Sequence, residues 1–273
     1  MLEISIAQII NRRSRPANLS AGSLFYRFFL ALFSITITLF SLSSSALTKN
    51  HSQVQHLPKL TVVTEFWPPY NYVDANNEFI GSSTDWVKAV LADANVEYDI
   101  TQYPWSRAYQ IAQHTPNVLI YSMFKAKERE AMFDWLCPLP KTPKFTVFRL
   151  AERDDIEINS IADIENYTVS VVRDSYPHIY LKSYGLKDGE TLKVSPSLEP
   201  MLAMIEAKRV DLLVGVLGGY VDRAMQERWQ GHLIKHAYSF ENPVELCMGV
   251  NKNTDKTLLK KLTEAHQHQL SLR

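Results

Sequence analysis

A surplus of charge is missing from this sequence: 29 lysines and arginines offset 29 aspartates and glutamates. With no net field and no basic block, nothing points to a nucleic-acid groove or to adhesion on an anionic membrane, and a small neutral or locally complemented ligand suits the chain better. Hydrolase and nucleotide signatures are missing too, since the chain holds no Gly-x-Ser-x-Gly elbow, no phosphate-cradling glycine loop and no His-Glu-x-x-His helix. His232 and His236 stand four apart, but Leu233 and Ile234 between them read as strand and no third ligand lies nearby, so no metal site is expected. Asp154 and Asp155 fall in a polar turn and read as solvated. No catalytic residue, metal or other cofactor is therefore expected, and the chain reads as a non-enzyme.

Cysteine is almost absent. Cys137 and Cys247 are the only two; in an oxidising compartment they could form one disulfide, and two buried, unpaired thiols account for them equally well. Long apolar runs are also scarce. One lies near the start, where Arg12, Arg13, Arg15 and Arg27 precede a stretch from Phe28 to Thr48 without a charged residue or histidine. Its apolar centre, Phe28 to Phe40, is short for a membrane span, and Ser44, Ser45 and Ala46 are small, which is the layout of a secretory signal cleaved after Ala46. An uncleaved anchor is the rival. No cysteine follows the run, which argues against a lipid anchor and for a protein held in the periplasm, and no second long apolar run occurs.

What is present is 46% hydrophobic residues, enough for one large core or two smaller ones. From Leu57 onward short apolar strands alternate with amphipathic helices, the pattern of an α/β protein with largely parallel sheets. Strands are expected at Leu60–Thr64, Tyr98–Tyr103 and Val118–Tyr121. Helices are expected after Ser83, Thr84 and Asp85, read as caps, and over Ser106–Gln113. A second block alternates in the same way, with strands Phe145–Leu150, Thr168–Val172, Leu192–Val194 and Val210–Val216, and helices near Pro177–Tyr184, after Ser197, and from Tyr220 to Gln230 beyond a Gly218–Gly219 break. A strand Leu246–Val250 and a helix from Asp255 to Leu270 are left over. Two similar blocks with a leftover strand and helix imply two lobes, the chain crossing near Pro138–Lys144 and returning near Glu241–Glu245. The expected organisation is a signal peptide over 1–46, a linker over 47–57, a first lobe from 58–140 and 245–273, and a second lobe from 141–244.

Several short motifs occur in a telling order. Trp67-Pro68-Pro69-Tyr70 and Glu78-Phe79-Ile80-Gly81 precede the helix with Asp85; Tyr103-Pro104-Trp105-Ser106-Arg107-Ala108 follows; then come Lys127-Glu128-Arg129-Glu130 and Phe133-Asp134-Trp135 with Pro138. Asp163-Ile164 and Ala207-Lys208-Arg209-Val210-Asp211 mark the second block. In this order, over roughly Leu60 to Leu270, the chain resembles family 3 of the bacterial extracellular solute-binding proteins. The resemblance implies a two-lobed, type II periplasmic-binding-protein-like α/β fold, each lobe a mixed sheet flanked by helices, joined by a two-strand hinge that closes on a small polar ligand. It further implies aromatic rings from the first loop (Trp67, Tyr70) and from Trp105 that sandwich the ligand, and a carboxylate held by Arg129, whose planar fork fits two oxygens at once. Ser122 and Ser175 correspond to polar residues that complete the anion's hydrogen bonds, with Arg107, Arg173 and Tyr176 as further candidates. Two departures stand out. Amino-acid binders place an acidic residue for the ligand's ammonium where this chain has Val216, and the usual small glycine before Ser175 is Asp174, which puts an ordinary α-amino acid in doubt.

The expected partners are a small-molecule ligand and an inner-membrane permease or receptor, with the protein itself a monomer. Delivery to an ABC transporter and docking on a sensor are both open. A dehydratase-like enzyme on the same scaffold is a third reading, which would need a general acid such as Asp174 or Glu199.

Overall fold

In a computed structural model, residues 57–216, 219–240 and 244–273 are described. The expected signal peptide, nearly all of the linker, Gly218 and the start of the return crossing at Glu241 lie outside the described residues. Among those described, no helix is long and apolar enough to cross a membrane.

In chain order the strands are β1 Leu60–Thr64, β2 Tyr72–Val73, β3 Phe79–Ile80, β4 Tyr98–Gln102, β5 Val118–Phe124, β6 Phe133–Leu136, β7 Phe145–Leu150, β8 Val169–Val172, β9 Leu192–Ser195, β10 Leu212–Val216, β11 Ile234–Ser239 and β12 Leu246–Asn251. The helices are α1 Ser82–Ala94, α2 Trp105–His114, α3 Tyr176–Ser183, α4 Leu198–Glu206, α5 Tyr220–Glu227 and α6 Lys256–Ser271. One mixed five-stranded sheet runs β4-β1-β5-β12-β6, and a second runs β11-β7-β10-β8-β9. In the first, β4, β1 and β5 are parallel, while β12 is antiparallel to both β5 and β6. In the second, β10 pairs parallel with β8 and antiparallel with β7. The architecture is that of a two-lobed α/β protein with one mixed sheet and its helices in each lobe.

Central strands carry the most apolar sequence because both faces are covered: every residue of β5 (VLIYSMF) and of β10 (LLVGV) is buried. Helix α1 buries Val87, Val90, Leu91 and Ala94 at the expected spacing. It lies beside α6, whose first turn is capped by Asp255 Oδ1 accepting from Thr257 N at 2.9 Å and Leu258 N at 3.0 Å. Side chains join the two helices, with Trp86 Nε1 donating to His266 Nδ1 at 3.4 Å and His268 Nδ1 at 2.6 Å from an Asp93 oxygen.

The sequence-based expectations hold for most elements, with the following differences. Ser83, Thr84 and Asp85 are not the caps of α1. The N-cap is Gly81, and the first amides of the helix are satisfied by backbone carbonyls: Ser82 N by Pro69 O, and Ser83 N and Thr84 N by Tyr70 O. Strand β6 has only four residues and was hidden between a 3-10 turn and a proline. The β2–β3 hairpin is shorter still, and β11 extends well past Ile234. Asp154 and Asp155 are exposed but paired, with Arg149 and Arg153 respectively.

A disulfide joins Cys137, just after β6, to Cys247 in β12 across a sequence separation of 110. Leu139 N also donates to Leu246 O at 2.6 Å. The outgoing and returning segments are thus fastened together beside the first sheet.

Candidate functional site

A cleft lies where the carboxyl ends of β1 and β5 face the second sheet. Glu65, Trp67, Trp105, Ser122, Phe124 and Arg129 line it from one side; Phe145, Val172, Ser175, Tyr176, Val216 and Tyr220 are among the residues lining the other. It is small, about 60 Å³, room for a few waters at roughly 10–15 Å³ apiece.

Each side chain owes its place to its element. Trp67 follows β1 at the point where two prolines end the strand. The loop folds back on itself through Trp67 N to Asn71 O at 2.7 Å, and its Pro69 and Tyr70 carbonyls rest on the amino end of α1. Only glycine permits that docking: Gly81 has φ +115°, and a Cβ there would lie 2.5 Å from Tyr70 O. Tyr70 is buried behind Trp67, ring centroids 4.8 Å apart, and does not reach the cleft. Burial pushes its phenol pKa up.

Ser122 adopts the left-handed conformation, φ 58°. Opposite it, the β5–β12 register slips between Cys247 and Gly249, so Ser122 sits at an irregularity that re-aims one side chain. Its Oγ is buried with no hydrogen-bond partner among the described residues.

Arg129 lies in the 3-10 turn Lys127–Met132 and is only 1% exposed. Nη1 donates to Phe124 O at 3.3 Å, Nη2 donates to the backbone carbonyl of Asp174, and Nε has no partner among the described residues. The guanidinium carbon is 5.5 Å from the Trp105 ring centroid and 5.0 Å from that of Tyr109. Those two rings stack at 5.7 Å, 18° from parallel. Burial holds the Arg129 pKa below its usual value, with Tyr109 and Asp174 opposing that shift.

Asp174, φ 54°, is fixed from behind: its N–H donates to His178 Nδ1 at 3.0 Å, and His178 Nε2 lies 2.8 Å from Asp188 Oδ1. Its carbonyl then accepts from Trp105 Nε1 at 2.8 Å as well as from Arg129. Ser106 Oγ adds a further bond between the two sides, to Pro196 O at 3.0 Å. What Asp174 offers Arg129 by hydrogen bond is a backbone oxygen.

Of the residues expected at a binding site, Trp67, Trp105, Ser122, Arg129, Ser175 and Tyr176 line one cleft. Ser175 also caps α3, its Oγ accepting from His178 N. Arg107 and Arg173 are exposed and stand outside it, Arg107 lying over the Tyr103 ring at 4.8 Å. Each follows a buried partner on the same helix or strand end, so its side chain points away. Glu199, one of the two general-acid candidates, is exposed and bound by Arg228 Nη1 at 3.0 Å and by the Tyr220 hydroxyl.

Glu65 escaped sequence reasoning. It stands between the last residue of β1 and the aromatic-proline loop, at the carboxyl end of a parallel strand, where ligands of open α/β sheets gather; that position was its only signal. Burial pushes its carboxyl up to about 8, against the lowering pull of Arg129. No hydrogen bond or ion pair engages that carboxyl among the described residues.

Residues 60–270 match the model of the bacterial extracellular solute-binding proteins, family 3. No curated protein matches the chain in sequence. Among solved structures, an ancestral arginine-binding protein bound to arginine is similar at TM-score 0.66 and 19% identity, covering 78% of this chain and 92% of that one. A histidine kinase sensor domain with similarity to periplasmic binding proteins gives 0.67 and 18%, covering 80% and 92%. The arginine-specific periplasmic binding protein of Salmonella typhimurium gives 0.62 and 16%, covering 77% and 92%. At these identities the likeness carries the fold alone.

Proposed function

We propose that this chain, which belongs to family 3 of the bacterial extracellular solute-binding proteins, captures a small carboxylate-bearing molecule in the periplasm by closing its two lobes, without altering it chemically. The moving bodies are residues 58–140 with 245–273, and 141–244, and residues 1–46 serve as the export signal. One observation carries the reading. Arg129 Nε and Ser122 Oγ are buried polar groups with no partner among the described residues, and both belong to residues lining one aromatic-walled cleft. A buried donor left unpaired costs about 1–3 kcal/mol, and a carboxylate offers the acceptors that relieve it.

The same geometry supports closure. Trp105 and Arg129 reach across to Asp174 O, and Ser106 to Pro196 O. An anion entering the open cleft takes over part of the Arg129 fork, while the remaining bonds draw the lobes together around it. Trp67 and Trp105 supply flat apolar surface to either side. The loaded form is then handed to an inner-membrane transporter. Docking on a membrane receptor is the second reading, favoured by the similarity to a kinase sensor domain.

The test is a thermal-shift screen of the purified protein against organic acids, amino acids, amines and short oligosaccharides. A ligand that binds only the native state raises the melting temperature. The reading predicts hits among carboxylates; hits confined to amines or sugars would contradict it.

A further inference from the structure

The two sides of the cleft differ in chemistry. Among the described residues, the charged ones that line it, Glu65 and Arg129, both come from the first-sheet side, whereas the second-sheet side presents Val172, Leu198, Met201, Val214 and Val216 without a charge. Resting on the capture reading above, we propose that the occupant is a carboxylate with an apolar, ring-sized or branched body and no ammonium group.

An ammonium carried against the valines and Met201 would meet no counter-charge among the described residues of that side, and an unpaired buried charge is among the most unfavourable groups a protein can hold. Asp174, a nearby carboxylate, does not line the cleft. Among the described residues, Glu65 is the one carboxyl lining the cleft that can pair with a ligand cation. Its environment favours the neutral form: burial lifts it to about 8 even with Arg129 pulling the other way. Among the described residues Arg129 is the charged group acting on it, and Asp174 and Glu128 act in turn on Arg129. At neutral pH Glu65 therefore keeps its proton and meets an incoming carboxylate as a hydrogen-bond donor. Once ionised, it would repel the same carboxylate. Phe124, Phe145 and Tyr176, in mutual contact with ring centroids 4.8 to 5.5 Å apart, supply the apolar bed for the ligand's body.

The experiment compares matched pairs by thermal shift and calorimetry: 3-phenylpropionate against phenylalanine, and 4-methylpentanoate against leucine, with arginine as a cationic control. Each is measured with the wild-type protein and with Glu65→Gln, at about pH 6.5 and about pH 9.5, on either side of the Glu65 transition. The expected result is that the plain acids bind the wild type at least about tenfold more tightly than their amino counterparts at the lower pH. Raising the pH should then weaken wild-type binding by about tenfold or more, a loss absent from Glu65→Gln. The ligand class is overturned, with capture intact, if the amino acids bind as tightly as the acids and Glu65→Gln removes their binding, since Glu65 is then a counter-charge. If no acid and no amino acid stabilises either protein, carboxylate capture in this cleft fails and the class falls with it.

Discussion

The indole of Trp105 donates from Nε1 to the backbone carbonyl of Asp174 at 2.8 Å, linking the helix that follows β4 to the loop that follows β8. It is a direct bond between the two lobes. Trp105→Phe keeps the ring and removes the donor. One net hydrogen bond is worth about 1 kcal/mol, so the ligand-free protein should shift toward its open form by about fivefold. Small-angle scattering should show a larger radius of gyration in the variant than in the wild type; equal radii would mean that this bond does not hold the lobes together.

Arg129 is a buried cation whose partners are neutral carbonyls and aromatic rings. Removing such a charge in favour of an apolar side chain of similar length is often neutral or stabilising. Arg129→Met should therefore leave the ligand-free melting temperature unchanged or raised, while abolishing the rise caused by any carboxylate that stabilises the wild type. A variant that unfolds at room temperature would make Arg129 structural.

The carboxyl of Glu65 has its ordinary value of 4.5 raised to about 8 by burial. Folding thus favours its protonated form, and the native state binds more protons than the unfolded chain between those two values. The contribution of this group to stability is accordingly present below about pH 4.5 and is lost as pH rises to about 8. Glu65→Gln should leave the denaturant midpoint nearly unchanged in acid and raise it near pH 8. Urea titrations of both proteins across that range check the sign.

Cys137 and Cys247 close a loop with a sequence separation of 110. Loop-closure entropy for such a span is worth roughly 4–5 kcal/mol, less any residual order in the unfolded chain. Replacing both cysteines with serine should lower the unfolding free energy by at least about 2 kcal/mol. Adding reductant to the wild type should reproduce that loss, as followed by circular dichroism in denaturant.

How far the sequence discloses these features depends on the kind of atom involved. Apolar spacing marked α1 and β7 because periodic burial leaves a trace in residue type. Trp105 and Arg129 were legible because aromatic and guanidinium groups have few uses in a motif of fixed order. The caps of α1 and the acceptor at Asp174 are backbone carbonyls, which every residue carries, so no residue type betrays them. Glu65 looked like any acid at a strand end, and only its surroundings separate it from a solvated one. Arg107 and Arg173 illustrate the reverse: a charged residue beside a motif attracts attention, and one rotation of the helix or strand sends it to the surface.

Strand β12 fills the gap between β5 and β6, yet it is made more than a hundred residues later than either. The centre of the first sheet cannot be completed until those hundred-odd further residues have been made, so β5 and β6 wait for their shared partner while the chain is still growing.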